Sequence, residues 1–195
     1  MNMGRPREFE TEKALKDAMN LFWERGYEKT SLEDLLQAMG LSKSSFYGTF
    51  GSKHELFERC ILHYRETLKG ELLNSLEKAT SGRQFIENTF SAIAEETLHP
   101  QKRKGCLVMN SASEFAQRDP VVSELISKGI IELEQVFVKA INGAQEEGDI
   151  SGQTEALSLA RYLVSSMSGL KTLVKAGATQ KEIREVIKIS LKALD

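Results

Sequence analysis

Between Thr30 and Leu56 the chain sets two short helical stretches around a glycine, and the second has almost nothing to bury. From Ser42 to Phe50 it reads Ser-Lys-Ser-Ser-Phe-Tyr-Gly-Thr-Phe. In the first stretch Leu32, Leu35, Leu36 and Met39 recur at helical spacing, and Ser31 is placed to cap it. Gly40 suits a left-handed turn, and Ser42 caps the second stretch. The pattern predicts a helix-turn-helix, whose second helix enters the DNA major groove. No acid occurs from Leu35 to His54, while Lys43 and Lys53 fall inside that window. A surface that meets phosphates excludes carboxylates in this way. An ordinary helical corner is the competing reading of the same residues.

The run Gly26-Tyr27, Thr30-Ser31, Gly40-Leu41-Ser42, Phe46-Tyr47, Phe50-Gly51-Ser52-Lys53 and Leu56 resembles the DNA-binding domain of TetR/AcrR-type transcriptional regulators. That resemblance covers about the first third of the chain. It implies a homodimeric regulator, usually a repressor, released from a near-palindromic double-stranded DNA operator by a ligand or chemical signal. The chain departs from the family pattern at Gly48-Thr49, where an aromatic and a histidine are usual, so no operator sequence is carried over.

Few prolines and helical periodicity almost throughout predict an all-α protein. The expected architecture is an N-terminal three-helix unit, residues 1–52 with a flexible arm at 1–8, followed by a helical sensing and dimerisation domain at 53–195, about nine helices in all. The net charge of −2 gives no bulk attraction for DNA, so binding must rest on where charges sit. No apolar run reaches membrane-spanning length, and no signal-peptide pattern opens the chain. Cys60 and Cys106 then read as reduced thiols in a cytoplasmic protein. An enzyme is disfavoured: His54, His63 and His99 are scattered, and there is no phosphate loop, metal-ligand spacing or nucleophile elbow. No cofactor or metal is expected.

Gly4-Arg5-Pro6-Arg7 reads as an arm that reaches a neighbouring minor groove, or as a disordered terminus. The remaining helices are expected near residues 9–25, 53–76, 83–98, 106–117, 120–147, 154–176 and 179–194, with an exposed basic loop at 101–105. Cys60 falls in the apolar stripe of the helix that starts at Lys53 and reads as core.

For DNA, the N-terminal residues of the second short helix reach base edges, which nominates Lys43, Ser44 and Ser45. Tyr47, Thr49 and Lys53 are expected against phosphates, with Thr30 and Ser31 joining them. Phe46 and Phe50 face inward.

Cys106 comes directly after Lys102, Arg103, Lys104 and Gly105 and opens a predicted helix, an environment that favours thiolate. Gly105-Cys106-Leu107 with Asn110 and Glu114 resembles an electrophile- and oxidant-sensing branch of the family. In that branch a lysine near the end of the eighth helix approaches the cysteine, and Lys175 falls in the matching place. The plain alternative leaves Cys106 as a small apolar residue lining a cavity. Candidate linings for a ligand pocket are Tyr64, Phe90, Leu107, Asn110, Phe115, Phe137 and Met167.

Dimerisation is expected through the eighth and ninth helices. Leu159, Leu163, Val164, Met167, Leu170 and Val174, with small Ser165, Ser166, Ser168 and Gly169, sit on the former. Ile183, Val186, Ile187, Ile189, Leu191 and Leu194 sit on the latter. That is more apolar surface than one inward face uses, although packing within the chain competes for it.

Overall fold

Hydroxyl and carboxylate caps fix where most of the helices begin. In the computed structural model, which describes residues 5–115 and 117–195, α1 spans Arg5–Arg25, α2 Leu32–Met39, α3 Lys43–Phe50 and α4 Lys53–Lys78. After them come α5 (Gly82–Glu96), α6 (Leu107–Phe115), α7 (Pro120–Glu146), α8 (Ala156–Lys175) and α9 (Gln180–Leu191). Among the described residues there is no strand, and the fold is all-α.

Ser31, Ser42, Ser52, Ser81 and Thr179 each accept a backbone N–H from the first turn of the helix they precede. Asp119 takes two, from Val121 and Val122, with Pro120 at the first helical position. Gly40 ends α2 at φ 66°, a turn that side chains with a Cβ resist.

Two expectations fail at helix starts. The backbone is helical from Arg5, so residues 5–8 of the expected arm continue α1; Pro6 is tolerated because a first turn needs no N–H. Residues 1–4 of that arm lie outside the described residues. The basic loop is also less exposed than expected. Pro100–Lys102 form a 3-10 turn, the Arg103 guanidinium donates to the Thr97 carbonyl, and Lys104 pairs with Glu24 at 2.6 Å.

Two hydrophobic cores result. The first joins α1–α4 to Cys106, α6 and the opening turns of α7, through Phe22, Phe46, Phe50, Leu56, Phe57 and Phe115. The second joins α5, the rest of α7, α8 and α9, through Phe85, Phe90, Phe137, Leu163 and Ile183. Leu68 of α4, Met109 of α6 and Ile130 of α7 pack against both. At the α4–α7 crossing Arg65, largely buried, binds Glu132 at 3.0 Å.

Candidate DNA interface and sensing cavity

Helix α3 is anchored from one side. Phe46 and Phe50 are buried in the first core, which turns Lys43, Ser44, Ser45 and Tyr47 outward to solvent. Ser42 accepts the Ser45 N–H at 3.2 Å, and its hydroxyl lies within hydrogen-bond distance of the Ser44 and Ser45 hydroxyls. Lys43 thus stands in the first turn of an exposed helix whose hydroxyls form a cluster beside it. Tyr47 is 49% exposed. Thr49 is half-buried, and Ser31 is exposed at the start of α2.

Two nominated residues sit differently. Thr30 is fully buried, and its hydroxyl donates to the Gly26 carbonyl at 2.7 Å. It is committed to the turn after α1, so its side chain cannot reach a phosphate. The Lys53 ammonium lies over the Tyr27 ring, 4.1 Å from the centroid, and burial draws its pKa below the usual lysine value. The acid-free window of the sequence is not free of acid in space. Glu10 of α1 lines a groove of about 390 Å³ beside Ser44, Ser45 and Gly48.

A second concavity, about 310 Å³, opens where the two cores meet. From the first core come Tyr64 and Cys106; from the second come Ile93, Leu133 and Met167; Leu68 and Met109 belong to both. Its wall is mainly apolar. The polar groups include Tyr64, Glu96 and Lys171, the last two joined as an ion pair between α5 and α8. Such a cleft, apolar with a few convergent polar groups, is the usual form of a small-molecule site.

Of the residues nominated for a pocket, Tyr64 and Met167 line this cavity. Phe90 and Phe137 are wholly buried in the second core, and Leu107 and Phe115 pack into the first with little surface left. Asn110 faces away from it and donates its side-chain amide to the Lys104 carbonyl at 2.9 Å. Aromatic residues at helical spacing serve packing here, and the cavity falls to smaller neighbours. The run Tyr64, Leu68 and Leu72, at intervals of one helical turn on α4, is the sequence signal that marks it.

Cys106 is buried, and its carbonyl accepts the Asn110 N–H, so it precedes the first turn of α6 rather than sitting within it. The Tyr64 hydroxyl donates to its Sγ at 3.6 Å. Burial first, and the adjacent Cys106 second, push the Tyr64 phenol above its usual value. The cations expected around Cys106 are partly engaged elsewhere, Arg103 on Thr97 and Lys104 on Glu24. Lys175 is exposed at the end of α8, its Cδ 3.4 Å from where a Cβ on Gly105 would stand. Cys60 is buried in the first core with its thiol on the Leu15 carbonyl, and burial pushes its pKa up.

On α8, Leu159, Leu163, Val164, Met167, Leu170 and Val174 are buried within the chain, as are Ile183, Ile187 and Leu194 further on. The apolar groups left to solvent are Tyr162 and Leu173 on α8 and Val186 and Ile189 on α9, Ile189 at 67% exposure. Exposed Ser165 and Gly169 separate the two on α8.

A helix-turn-helix with an outward α3, carried by a larger helical body with a cavity, defines the class of helical DNA-binding regulators. Residues 14–60 match the model of bacterial regulatory proteins of the tetR family, and residues 82–189 match the tetracyclin repressor-like C-terminal domain. The chain belongs to the tetR family. It is 32% identical over 194 residues to the HTH-type transcriptional regulator YezE of Bacillus subtilis, covering 99% of this chain and 100% of that one. It is 26% identical to the transcriptional repressor ComR of Escherichia coli, covering 97% and 90%. A cysteine-substituted CifR bound to 26-bp operator DNA superposes with a TM-score of 0.82 at 27% identity, covering 93% of this chain and 95% of that one. The protein is therefore a DNA-binding transcriptional regulator and not an enzyme. No helix among the described residues is long and apolar enough to cross a membrane.

Proposed function

We propose that the protein is a homodimeric repressor that leaves its operator when a small molecule enters the cavity between the cores or when Cys106 is modified. The observation that carries this reading is the position of the cavity: its wall takes residues from the core that holds α3 and from the core that holds α8. A ligand there binds differently to different arrangements of the two, which is what a shift in population requires.

Residues 1–52 act as the DNA reader and 53–195 as the sensing and pairing part. Lys43, Ser44 and Ser45 read base edges, with lysine favouring guanine O6 and N7. Ser31, Tyr47 and Thr49 hold phosphates, while Lys53 steadies the Tyr27 ring beside them. The exposed apolar groups of α8 and α9 support pairing, which presents two copies of α3 about 34 Å apart to successive grooves of a near-palindromic site. The operator complex of CifR and the repressor role named for ComR support the same reading. Cys106 acts as the sensor thiol, with Lys175 held close to its neighbour Gly105. Occupation of the cavity moves α4, and the two copies of α3 lose their match to the grooves.

A gel shift on DNA flanking the coding region tests this directly. The unmodified protein should retain that DNA at low salt, and oxidants or alkylating agents should release it. Cys106→Ser should remain bound throughout. Release of that variant as readily as the native protein would remove the thiol from the mechanism and leave the cavity alone as the site of the signal.

A further inference from the structure

Glu114 has no part in the DNA face and none in the cavity wall, yet it makes a contact between distant parts of the chain. It lies in the last turn of α6, and its Oε2 accepts the Tyr27 N–H at 3.1 Å. Gly26 beside it has φ 83°, and a Cβ there would meet Glu114 Oε1 at 2.6 Å. The carboxylate thus occupies the space that glycine leaves open in the turn after α1. Phe115 adds a second grip, its ring 5.0 Å from that of Tyr27 and 5.1 Å from Phe57.

This turn governs the start of the helix-turn-helix. Thr30 ties its hydroxyl back to the Gly26 carbonyl, Ser31 caps α2, and Lys53 rests on the Tyr27 ring. The other end of α6 meets the cavity through Cys106 and Met109. Between them runs a nine-residue helix, a rod of roughly 13 Å whose own hydrogen bonds resist bending.

We infer that α6 is a push-rod: bulk at Cys106 displaces it, and Glu114 is the positioning residue that delivers the displacement to the Gly26–Tyr27 turn. This route reaches the turn before α2 directly, and α4, joined to that turn by Lys53 and Phe57 against the Tyr27 ring, moves with it. A carboxylate-to-amide hydrogen bond weakens steeply with distance and angle, so a shift of about 1 Å is enough to release it. The inference rests on the reading that a signal enters at the cavity or at Cys106.

The test uses the full-length protein carrying an N-ethylmaleimide adduct at Cys106, verified by intact mass; Cys106→Phe supplies similar bulk without chemistry. Hydrogen exchange of the Tyr27 amide and affinity for the retained flanking DNA are measured in the native protein, Glu114→Ala and Glu114→Gln. Bulk should speed Tyr27 exchange at least tenfold in the native protein and weaken DNA binding at least tenfold. Glu114→Gln, whose amide oxygen still accepts, should respond alike. In Glu114→Ala exchange should be fast at the outset, and bulk should change DNA affinity less than twofold. Native Tyr27 exchange that ignores the bulk overturns the push-rod, as does full release of DNA by the bulky Glu114→Ala protein. Faster exchange with DNA still bound upholds the rod and removes inducible release.

Discussion

The core around α1–α4 and the core around α8 and α9 are built from different materials. In the first, Phe22, Tyr27, Phe57 and Phe115 meet ring to ring across three helices and the turn after α1, with centroids 4.9 to 5.8 Å apart. The second is mostly aliphatic, with one close ring pair, Phe85 and Phe137 at 5.7 Å. Ring pairs hold preferred mutual angles, so the first core fixes how α1, α4 and α6 face one another, while the second fills its volume mainly with aliphatic groups. Helix α6 and the first turns of α7 belong to the former. The DNA reader therefore extends, in packing terms, beyond the helix-turn-helix that carries its chemistry. A wedge between two close-packed bodies reorients them instead of compressing them.

The largest expected effect tests that division. Phe57→Ala and Phe137→Ala each remove a buried ring and should each cost about 3–5 kcal/mol in urea unfolding. Measured where both remain folded, only Phe57→Ala should alter DNA affinity, because its ring orients Tyr27 and Phe115. Equal losses of affinity in the two variants would break the comparison.

A smaller effect separates the two surfaces. Lys43→Ala should cost about 1–3 kcal/mol in operator binding if lysine reads a base edge, with sequence preference relaxed at one position. Should Lys43 hold a phosphate instead, the loss would be uniform across sequences, and the slope of log K against log salt would fall by about 1. Lys139→Ala, exposed on α7 away from both surfaces, should leave both quantities unchanged. Anisotropy titrations over a salt series distinguish the cases.

Much of the first region is legible in the sequence because its signals are local. Caps at Ser31, Ser42 and Ser52, the turn at Gly40 and the inward pair Phe46 and Phe50 all depend on neighbours within a few residues. Thr30 escapes such reading because its partner, the Gly26 carbonyl, is engaged only once the turn has formed. The cavity is not legible, since it depends on which of several apolar stripes fails to be filled. Phe90 and Phe137 look suited to line it, yet large rings pack first and leave the void to Ala92, Met109 and Ser168. Glu114 is visible only as one position in a resemblance; its contact with Tyr27 joins residues far apart in the chain.

Gly48 offers a prediction in which stability and function move oppositely. It sits on the exposed side of α3 with nothing within 4 Å of a built Cβ and without positive φ, so the protein itself does not need glycine there. Gly48→Ala should raise unfolding free energy by up to about 1 kcal/mol. A backbone that approaches DNA closely at this position would then be obstructed, and operator affinity should fall. A rise in stability with unchanged affinity would place the DNA away from Gly48 and confine the reading face to the first turn of α3.

The smallest expected effect compares matching devices, one in each region. Ser31 and Asp34 form a capping box on α2, and Thr179 and Glu182 form one on α9. Hydrogen bonds from Ser31, followed by Arg25 at 3.0 Å, hold the Asp34 carboxyl below its usual range, and hydrogen bonds from Thr179 do the same for Glu182. A carboxyl whose folded pKa is depressed contributes stability that is fully present above its unfolded value, about 4. That contribution is lost as pH falls through the lower folded value. Both carboxyl resonances should therefore titrate below the normal range in an NMR pH series, with Ser31→Ala returning Asp34 toward it and leaving Glu182 in place. If Ser31→Ala leaves Asp34 unmoved, the residue-31 N–H, which survives the substitution, and Arg25 hold the carboxylate, and the Ser31 hydroxyl adds nothing to it.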